Sequence, residues 1–446
     1  MASRKRFRES SSEDEEDEYI SLSVDSDKKK RKLDPEDILE YDTINSYELK
    51  QTIKQHFPWW QPLNQKLLST TDQYSATKGY FNEVKMLLRY LEPKKSEKLL
   101  REYVIHKVQF VVEKLWRGAE VCVFGSFASN IYLPDSDIDL TVQLPRKNSA
   151  VSSQLYIQLA KLLETEGVSK GKVTRILKAT VPVIKFEDKL TGLKVDIIMN
   201  SDNGVKASKY IQQMTEQYPG LRELTLIIKH YLSVQGLNEV FTGGLGGYAT
   251  TCLVLSFLQR HPRVATGMIN PKENLGVLLL DFFHLYGNRF RIGKVSINVN
   301  DNGFYYSKTT TARDGQPVFS IEDPLDSSND IACKSYKANY VARKFRAAYN
   351  IITRNIYGKI VADSSSNSLP TSTPSSPSFT NAISFSPPPQ ETRSSAFRES
   401  SVLRWIGFIP LKMLEQRDSL YQVYRQKSWE NEEAAKSFNF DIYQDE

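Results

Sequence analysis

Two aspartates separated by one apolar residue are the most informative feature of the sequence. Asp137 and Asp139 flank Ile138 and follow Gly125 and Ser126 at short range. Residues i and i+2 of a strand point to the same side, so both carboxylates would face one way while Ile138 faces the core. Two carboxylates about 4 Å apart repel by about 4 kcal/mol at an effective dielectric of about 20. A divalent ion such as Mg²⁺, bound by carboxylates and substrate phosphates, removes that penalty.

A third acid, Asp196, lies inside a later apolar segment, Leu193 to Ile198. Such an acid is either a residue of an edge strand or a ligand in a site. Together with Asp137 and Asp139 on a neighbouring strand, it would complete a cluster for two metal ions. Two ions about 3.5–4 Å apart can hold the attacking and leaving oxygens of a phosphoryl displacement. At the end of the preceding strand, Gly125 could present backbone N–H groups to a phosphate.

The segments around these acids alternate between strand and helix patterns. Apolar residues at helical spacing predict helices over 75–91 and 96–116. Strands are predicted at 120–124, 138–144, 173–186 (one or two) and 194–199, with a helix at 154–166 between them. Helical patterns then dominate, at 221–234, 248–259, 275–286 and 337–357. This order predicts an α+β fold, with a mixed sheet and helices beside a mostly helical domain.

Composition excludes several classes of protein. The chain has 446 residues, with 59 Lys and Arg against 53 Asp and Glu, a net charge of +6. Cys122, Cys252 and Cys333 are too few and too widely spaced for a disulfide framework or a cysteine-based zinc site. The apolar runs are too short to cross a bilayer, and the charged N-terminus is unlike a secretory signal, so no membrane association is expected. The small basic excess is compatible with nucleic acid.

Changes in composition predict the domain boundaries. The predicted units are a disordered charged tail with a basic nuclear-import signal (1–42), an N-terminal arm (43–74), a helical central domain (75–93 and 206–362), a catalytic palm (94–205), a Ser/Pro-rich linker (363–398) and a C-terminal tail with one further helix (399–446). The import signal is the run KKKRK, Lys28 to Lys32.

Beyond the acids, four stretches resemble one family in the same order: FGSFASNIYLPDSDIDL, FTGGLGGYATTCLVLSFLQ, NLGVLLLDFFHLYG and FSIEDPLDSSNDI. Together with Asp196 they resemble the DNA-polymerase-beta-like nucleotidyltransferase superfamily, and within it the TRAMP-type non-canonical poly(A) polymerases. The resemblance covers about 75–357. It implies a nucleotidyltransferase palm beside a helical central domain, with the nucleotide bound between them.

The resemblance also implies roles for individual residues. Asp137 and Asp139 would hold two Mg²⁺ or Mn²⁺ ions. Asp196 would hold the catalytic ion and assist deprotonation of the RNA 3′-hydroxyl. Gly125 and Ser126 would bind the outgoing phosphates.

Four further residues would contact the substrate ATP. Lys229 would reach the triphosphate, although Ser233 stands one turn later, where relatives commonly carry a second lysine. Tyr248 would stack on the base, and Asn203 would contact the ribose. Asn329 occupies the place where uridylyl-adding relatives commonly have histidine, which favours ATP over UTP.

The implied activity is template-independent addition of AMP to RNA 3′ ends, with tails that mark nuclear RNAs for trimming or decay. Implied partners are the RNA 3′ end, a zinc-knuckle RNA-binding subunit, an RNA helicase and, indirectly, the nuclear exosome. The expected location is the nucleus, the nucleolus included. Two alternatives stay open: terminal uridylyl transfer, and a non-catalytic RNA-decay scaffold. Ala332 and Cys333 replace the usual Gly-Arg, so base selectivity is less firmly predicted than catalysis.

Overall fold

The computed structural model describes residues 76–145, 152–308, 315, 317–366, 402–403 and 406–440. The predicted N-terminal tail with its import signal, the predicted arm, and the predicted linker from 367 onward lie outside the described residues.

The helices are α1 (Ala76–Leu91), α2 (Lys95–Leu115), α3 (Gly125–Ala128), α4 (Ser153–Thr165), α5 (Asn203–Gln217), α6 (Leu221–Val234), α7 (Gly247–Arg260), α8 (Pro262–Ala265), α9 (Leu275–His284, continued by a π-helical turn Leu285–Arg289), α10 (Ala338–Ser366), α11 (Leu411–Arg425) and a 3₁₀ turn (Glu433–Ser437). The strands are β1 (Glu120–Phe124), β2 (Ile138–Gln143), β3 (Thr174–Ile176), β4 (Val183–Glu187), β5 (Lys194–Met199), β6 (Val295–Asn298), β7 (Phe304–Ser307), β8 (Glu322–Asp323) and β9 (Asp326–Asp330).

The palm is built on a five-stranded mixed sheet in the order β1-β2-β5-β4-β3. Strands β2 and β5 are parallel, and the other neighbouring pairs are antiparallel. The α+β prediction is therefore confirmed.

Alternation along the strands explains how this sheet is covered. In β2, Ile138, Leu140 and Val142 are buried, and in β5, Val195 and Ile197 are also buried. These side chains form one apolar core with α2 and α4. The opposite face of β2 and β5 is left for polar side chains.

A second apolar core lies in the helical domain. Helices α1, α6, α7, α9 and α10 contact one another around it. The palm contributes Ile131 and Leu133, from the turn before β2, to this second core. Helix α1 ends at Leu91 and α2 begins at Lys95, so Pro93 marks the passage from the helical domain to the palm. The two domains are therefore joined by a short connection and by shared apolar contacts.

The C-terminal segment differs from the prediction of a tail. Its first part contributes apolar residues to the helical core, and its later part contributes Leu420 and Trp429 to the palm core. Between these parts, buried Arg417 on α11 pairs with buried Glu97 on α2. The one further helix expected in this segment is α11, which begins at Leu411 directly after Pro410.

The two small hairpins, β6–β7 and β8–β9, were not predicted. β9 reads Asp-Ser-Ser-Asn-Asp and has no apolar alternation that could indicate a strand. None of the described helices combines the length and the apolar character that a membrane span requires.

Candidate active site

The register of β2 and β5 brings two of the three predicted acids side by side. Asp139 pairs directly with Asp196 in the parallel ladder, and on its other side Asp139 pairs with Phe124, the last residue of β1. Partners in a ladder point to the same face of the sheet. Asp137 lies two residues before Asp139, just before β2 begins. The three carboxylates therefore belong to one polar region of the palm.

Burial and the charges of neighbouring acids raise the pKa values of two of these carboxyl groups. Burial, then the charge of Asp196, then that of Asp137, raises the pKa of Asp139 to about 7. Burial also raises the pKa of Asp196, although the Lys185 ammonium opposes that shift. Lys185 donates a hydrogen bond to the Asp196 carboxylate. Ionisation of these carboxyl groups is therefore unfavourable without a nearby cation, and Lys185 already neutralises part of the negative charge.

Gly125 lies against Asp139 in a conformation that favours glycine. Its φ is +70°, and a Cβ there would lie 2.9 Å from the Asp139 Cγ and closer still to one carboxylate oxygen. Its N–H donates to the Ser208 hydroxyl at 2.8 Å. This N–H is therefore engaged within the palm, whereas the neighbouring Ser126 lines the cleft beside the acids. Ser208, on α5, was not predicted, since one serine in a helix carries no signal.

A buried arginine supports the turn that carries the acids. Arg101, on α2, is fully buried. It donates to the Pro134 carbonyl at 2.7 Å and to the Ser136 carbonyl at 2.8 Å. Its guanidinium also lies over the Tyr132 ring, 5.0 Å from the centroid. Arg101 thus holds the backbone immediately before Asp137, a role that the sequence did not reveal because its carbonyl partners lie 33 and 35 residues away.

Residues of both domains line a cleft of about 1020 Å³ beside the acids. Six of the nine predicted site residues line it: Gly125, Ser126, Asp137, Asp139, Lys229 and Tyr248. Asp196, Asn203 and Asn329 are not among the lining residues. Asp196 is the ladder partner of the lining residue Asp139. Asn203 is exposed at the start of α5.

Lys229 crosses from the helical domain towards the palm. Its ammonium donates to the Ile131 carbonyl at 2.8 Å, and its end lies beside Gly247, where a Cβ would be 3.5 Å from Nζ. Desolvation lowers the pKa of Lys229 to about 8, although Asp139 and Asp135 oppose the shift. A cation with this pKa stays largely charged at neutral pH and is available for an anionic ligand.

Asn329 is linked to Tyr248 through Asp323, an acid that was not among the predicted site residues. The Tyr248 hydroxyl donates to Asp323 at 3.2 Å, and the Asn329 amide donates to the other oxygen of Asp323 at 2.9 Å. With its amide nitrogen so engaged, the amide oxygen of Asn329 remains as an acceptor. The predicted stacking residue and the predicted base-reading residue thus share one carboxylate.

The donor set fits hard divalent ions. Carboxylate oxygens in a partly buried, mutually repelling group are ligands that Mg²⁺ and Mn²⁺ prefer. Within the described ranges, no three acidic, histidine or cysteine side chains form a closed metal cluster by themselves. Substrate phosphates commonly supply the remaining Mg²⁺ ligands in such sites.

Comparison with known proteins agrees with this geometry. Residues 82–216 match a family model described as "Poly(A) RNA polymerase, mitochondrial-like, central palm domain", and residues 274–329 match one described as "Cid1 family poly A polymerase". Poly(A) RNA polymerase CID14 of Cryptococcus neoformans is 36% identical over 332 residues, which cover 74% of this chain and 43% of that protein. Poly(A) RNA polymerase protein 2 of Saccharomyces cerevisiae is 37% identical over 280 residues, 62% of this chain and 48% of that protein.

The chain thus matches less than half the length of these two relatives. A Drosophila melanogaster relative, 34% identical, is named an inactive non-canonical poly(A) RNA polymerase, so membership alone does not establish activity. Among solved structures, the polymerase core of TRAMP, an RNA surveillance complex, matches with a TM-score of 0.60 and 35% identity over 68% of this chain and 93% of that chain. The chain therefore belongs to the poly(A) RNA polymerase family that includes the TRAMP polymerase core.

Proposed function

We propose that this protein adds AMP from ATP to the 3′ ends of RNA without a template. The observation that carries the proposal is the pairing of Asp196 with Asp139, because Asp139 lies beside Gly125 and lines a cleft shared by both domains. Charged ligands on the palm and the aromatic side chain of Tyr248 line the same cleft, as a nucleotide with a triphosphate requires. The family of the chain supports the same reaction.

In this reaction the RNA 3′-hydroxyl oxygen forms a bond to the α-phosphorus of ATP. The bond to the bridging oxygen breaks, and pyrophosphate leaves. Asp137, Asp139 and Asp196 would hold two divalent ions, Mg²⁺ or Mn²⁺, which when bound would supply charge stabilisation for the attacking and leaving oxygens. Asp196 would assist removal of the hydroxyl proton.

Residues around the acids would position the triphosphate. Ser126 would donate its hydroxyl and backbone N–H, at the N-terminus of α3 where N–H groups point outward. Lys229 would add a positive charge from the helical domain. Because these groups come from both domains, closure of the cleft would bring them onto one ligand.

The base would lie on Tyr248, with ATP favoured over UTP. The Asn329 amide nitrogen is bound to Asp323, so its free oxygen can accept from the amino group of adenine. Uracil has a carbonyl oxygen at the corresponding position and cannot donate there. Asn203 would contact the ribose from the start of α5.

The cellular setting is a further part of the proposal. The basic run Lys28 to Lys32 supports a nuclear, including nucleolar, location. The likeness to the TRAMP polymerase core supports a zinc-knuckle RNA-binding subunit and an RNA helicase as partners, with the exosome acting on the tailed RNA. The chain itself contributes the catalytic cleft.

A nucleotide assay tests the proposal. The purified full chain is incubated with a single-stranded RNA oligonucleotide, Mg²⁺ or Mn²⁺, and each of the four nucleoside triphosphates in turn. We expect tails with ATP, and loss of activity by at least about 10³-fold in Asp139→Asn. Asp418→Asn, an exposed acid on α11, is the matched control and should retain activity. Preference for UTP would contradict the interpretation of Asn329, and tailing by Asp139→Asn would contradict the site.

A protein without activity, even with partners added, would instead be a scaffold. The inactive Drosophila relative makes this outcome a real alternative.

A further inference from the structure

One aromatic side chain on the wall of the cleft is almost completely exposed to solvent. Phe241 lies in the loop between α6 and α7, and 95% of its surface is accessible. It lines the same cleft as Asp137, Asp139 and Tyr248. A phenylalanine left in water forgoes the stabilisation that burial would provide. No residue assigned above uses this ring.

The loop holds the ring outward through hydrogen bonds on both sides of it. The Gly243 N–H donates to the Val240 carbonyl at 3.0 Å, and the Gly244 N–H donates to the Glu239 carbonyl at 2.9 Å. The Tyr336 hydroxyl donates to the Phe241 carbonyl itself at 3.2 Å.

Close packing restricts the same loop. Gly243 has a φ of +85°, and a Cβ there would collide with the Tyr336 ring. A Cβ at Gly244 would likewise meet the backbone of Leu237. The exposed position of Phe241 is therefore imposed by the backbone.

The surroundings favour a nucleobase over an apolar protein segment as the occupant. The cleft lining combines the apolar Val240 and Phe241 with the cation Lys412 and the polar Gln416, and it also includes the acids Glu239 and Glu415. Single-stranded RNA needs such a mixture, because its bases stack on aromatic rings while its phosphates need positive charge. An apolar peptide would gain little from the charged side chains. RNA must also enter this cleft if its 3′-hydroxyl is to reach the acids.

We propose that Phe241 is a stacking platform for one base of the RNA strand, upstream of the nucleotide that accepts AMP. The inference rests on the proposed function. It concerns the RNA and not ATP, whose base is assigned to Tyr248. Stacking there would hold the strand while its 3′ end reaches the acids, with no preference for one sequence, since every base has an aromatic face.

Oligonucleotide binding and tailing by the full chain test this inference. The variants are Phe241→Ala, Phe241→Trp and, as a control, Met268→Ala, which removes another largely exposed apolar side chain outside the cleft lining. Phe241→Ala should weaken binding of a single-stranded RNA about 5- to 150-fold, the equivalent of one stacked base, and leave the KM for ATP unchanged. Phe241→Trp should bind as well as the original chain, and so should Met268→Ala.

Abasic substrates separate stacking from a general effect on the loop. RNAs that lack one base at each position in turn should show weaker binding at one position near the 3′ end. In Phe241→Ala that position should no longer matter, because the ring and the base act as a pair. Equal losses in the original chain and in Phe241→Ala would overturn the inference, as would unchanged RNA binding in Phe241→Ala.

Failure of the proposed function looks different. In that case the original chain adds no nucleotide to any RNA. If the original chain adds AMP and Phe241→Ala does so with the same KM for RNA, only the stacking platform is refuted. Thermal unfolding checks that each variant is folded. We expect each Phe241 variant to be folded, because the ring that is replaced is exposed.

Discussion

The guanidinium of Arg101 donates to the backbone oxygen of Ser136 at 2.8 Å, directly before the catalytic candidate Asp137. A second bond, to Pro134, fixes the other side of the same turn. The palm thus contains a buried cation whose partners are backbone carbonyls. Its effect on the acids is indirect, through the position of the turn that they follow.

Replacement of Arg101 by lysine should therefore weaken metal binding. One ammonium lacks the planar fork needed to reach both carbonyls, so one is left buried without a donor. We expect a loss of about 1–3 kcal/mol in the free energy of unfolding and weaker Mn²⁺ binding. Denaturant unfolding and Mn²⁺ titration measure the two effects. Arg89→Lys, an exposed site on α1, should change neither, and equal behaviour of both variants would contradict the role.

Gly125→Ala should abolish most activity through a collision with Asp139. The added methyl would displace the carboxylate, and a misplacement of about 1 Å can cost about 10²-fold in rate. Gly167→Ala is the matched control, since Gly167 has a φ of +69° but open space around it. Because Gly167→Ala introduces the backbone strain without a collision, it measures the effect of the strain alone. Similar rates of AMP addition by both variants would show that the contact with Asp139 is unimportant.

Magnesium should stabilise the protein more at pH 8 than at pH 6. The Asp139 pKa is about 7 in the metal-free folded state, above its ordinary 3.8, so the folded state retains a proton that the unfolded state has released. The resulting stability is present below about pH 4 and is lost as pH rises through 7. Mg²⁺ binds the ionised carboxylate, so the increase in Tm on adding Mg²⁺ should grow over this range.

Asp139→Asn removes the titrating group and is the control for this pH effect. In that variant the increase in Tm should be small and nearly independent of pH. An increase in the original chain that is equal at pH 6 and pH 8 would contradict the prediction.

The pair formed by Arg417 and Glu97 should control how the two domains act together. Arg417 donates to Glu97 at 2.7 Å and also to the carbonyls of Tyr90 and Glu92, where α1 passes into α2. Arg417→Met leaves the buried Glu97 carboxylate without its charge partner, which typically costs about 3–5 kcal/mol. The KM for ATP should rise, because the nucleotide needs both domains.

Manganese binding distinguishes this effect from general unfolding. The three acids all lie in the palm, so their affinity for Mn²⁺ should change little in Arg417→Met. In a double-mutant cycle, Arg417→Met with Glu97→Gln should cost less than the sum of the two. The exposed pair Lys98 and Glu102, on the same helix, is the control, and Lys98→Met should cost less than about 0.5 kcal/mol. Additive losses at Arg417 and Glu97 would contradict a specific pair.

Much of the palm could be predicted from the sequence alone. The bounds of β1, β5 and α6 agree with the expected ones, because each has a clear apolar period between turn residues or charged ends. The presence of Asp139 and Asp196 on strands, and of Asp137 directly before one, followed from the same alternation. Their convergence in space required an assumption about which strands pair. The register of β2 and β5 shows that pairing for Asp139 and Asp196.

Several features depended on contacts between distant parts of the chain. Lys185 lies next to Asp196 only because β4 pairs with β5. Asp323 binds both Tyr248, which is 75 residues away in sequence, and Asn329, which is 6 residues away. Arg417 and Glu97 are 320 residues apart, so no local pattern could indicate their pairing.

The sequence by itself therefore determined the strands around the acids, most of the long helices and the acids themselves, because those follow from the alternation of apolar and polar residues over a few positions. Only the tertiary structure decided which charges meet, that the C-terminal helix belongs to both cores, and that Phe241 faces water at the cleft. The physical reason is that burial, charge pairing and close packing depend on neighbours in space, which local periodicity does not encode.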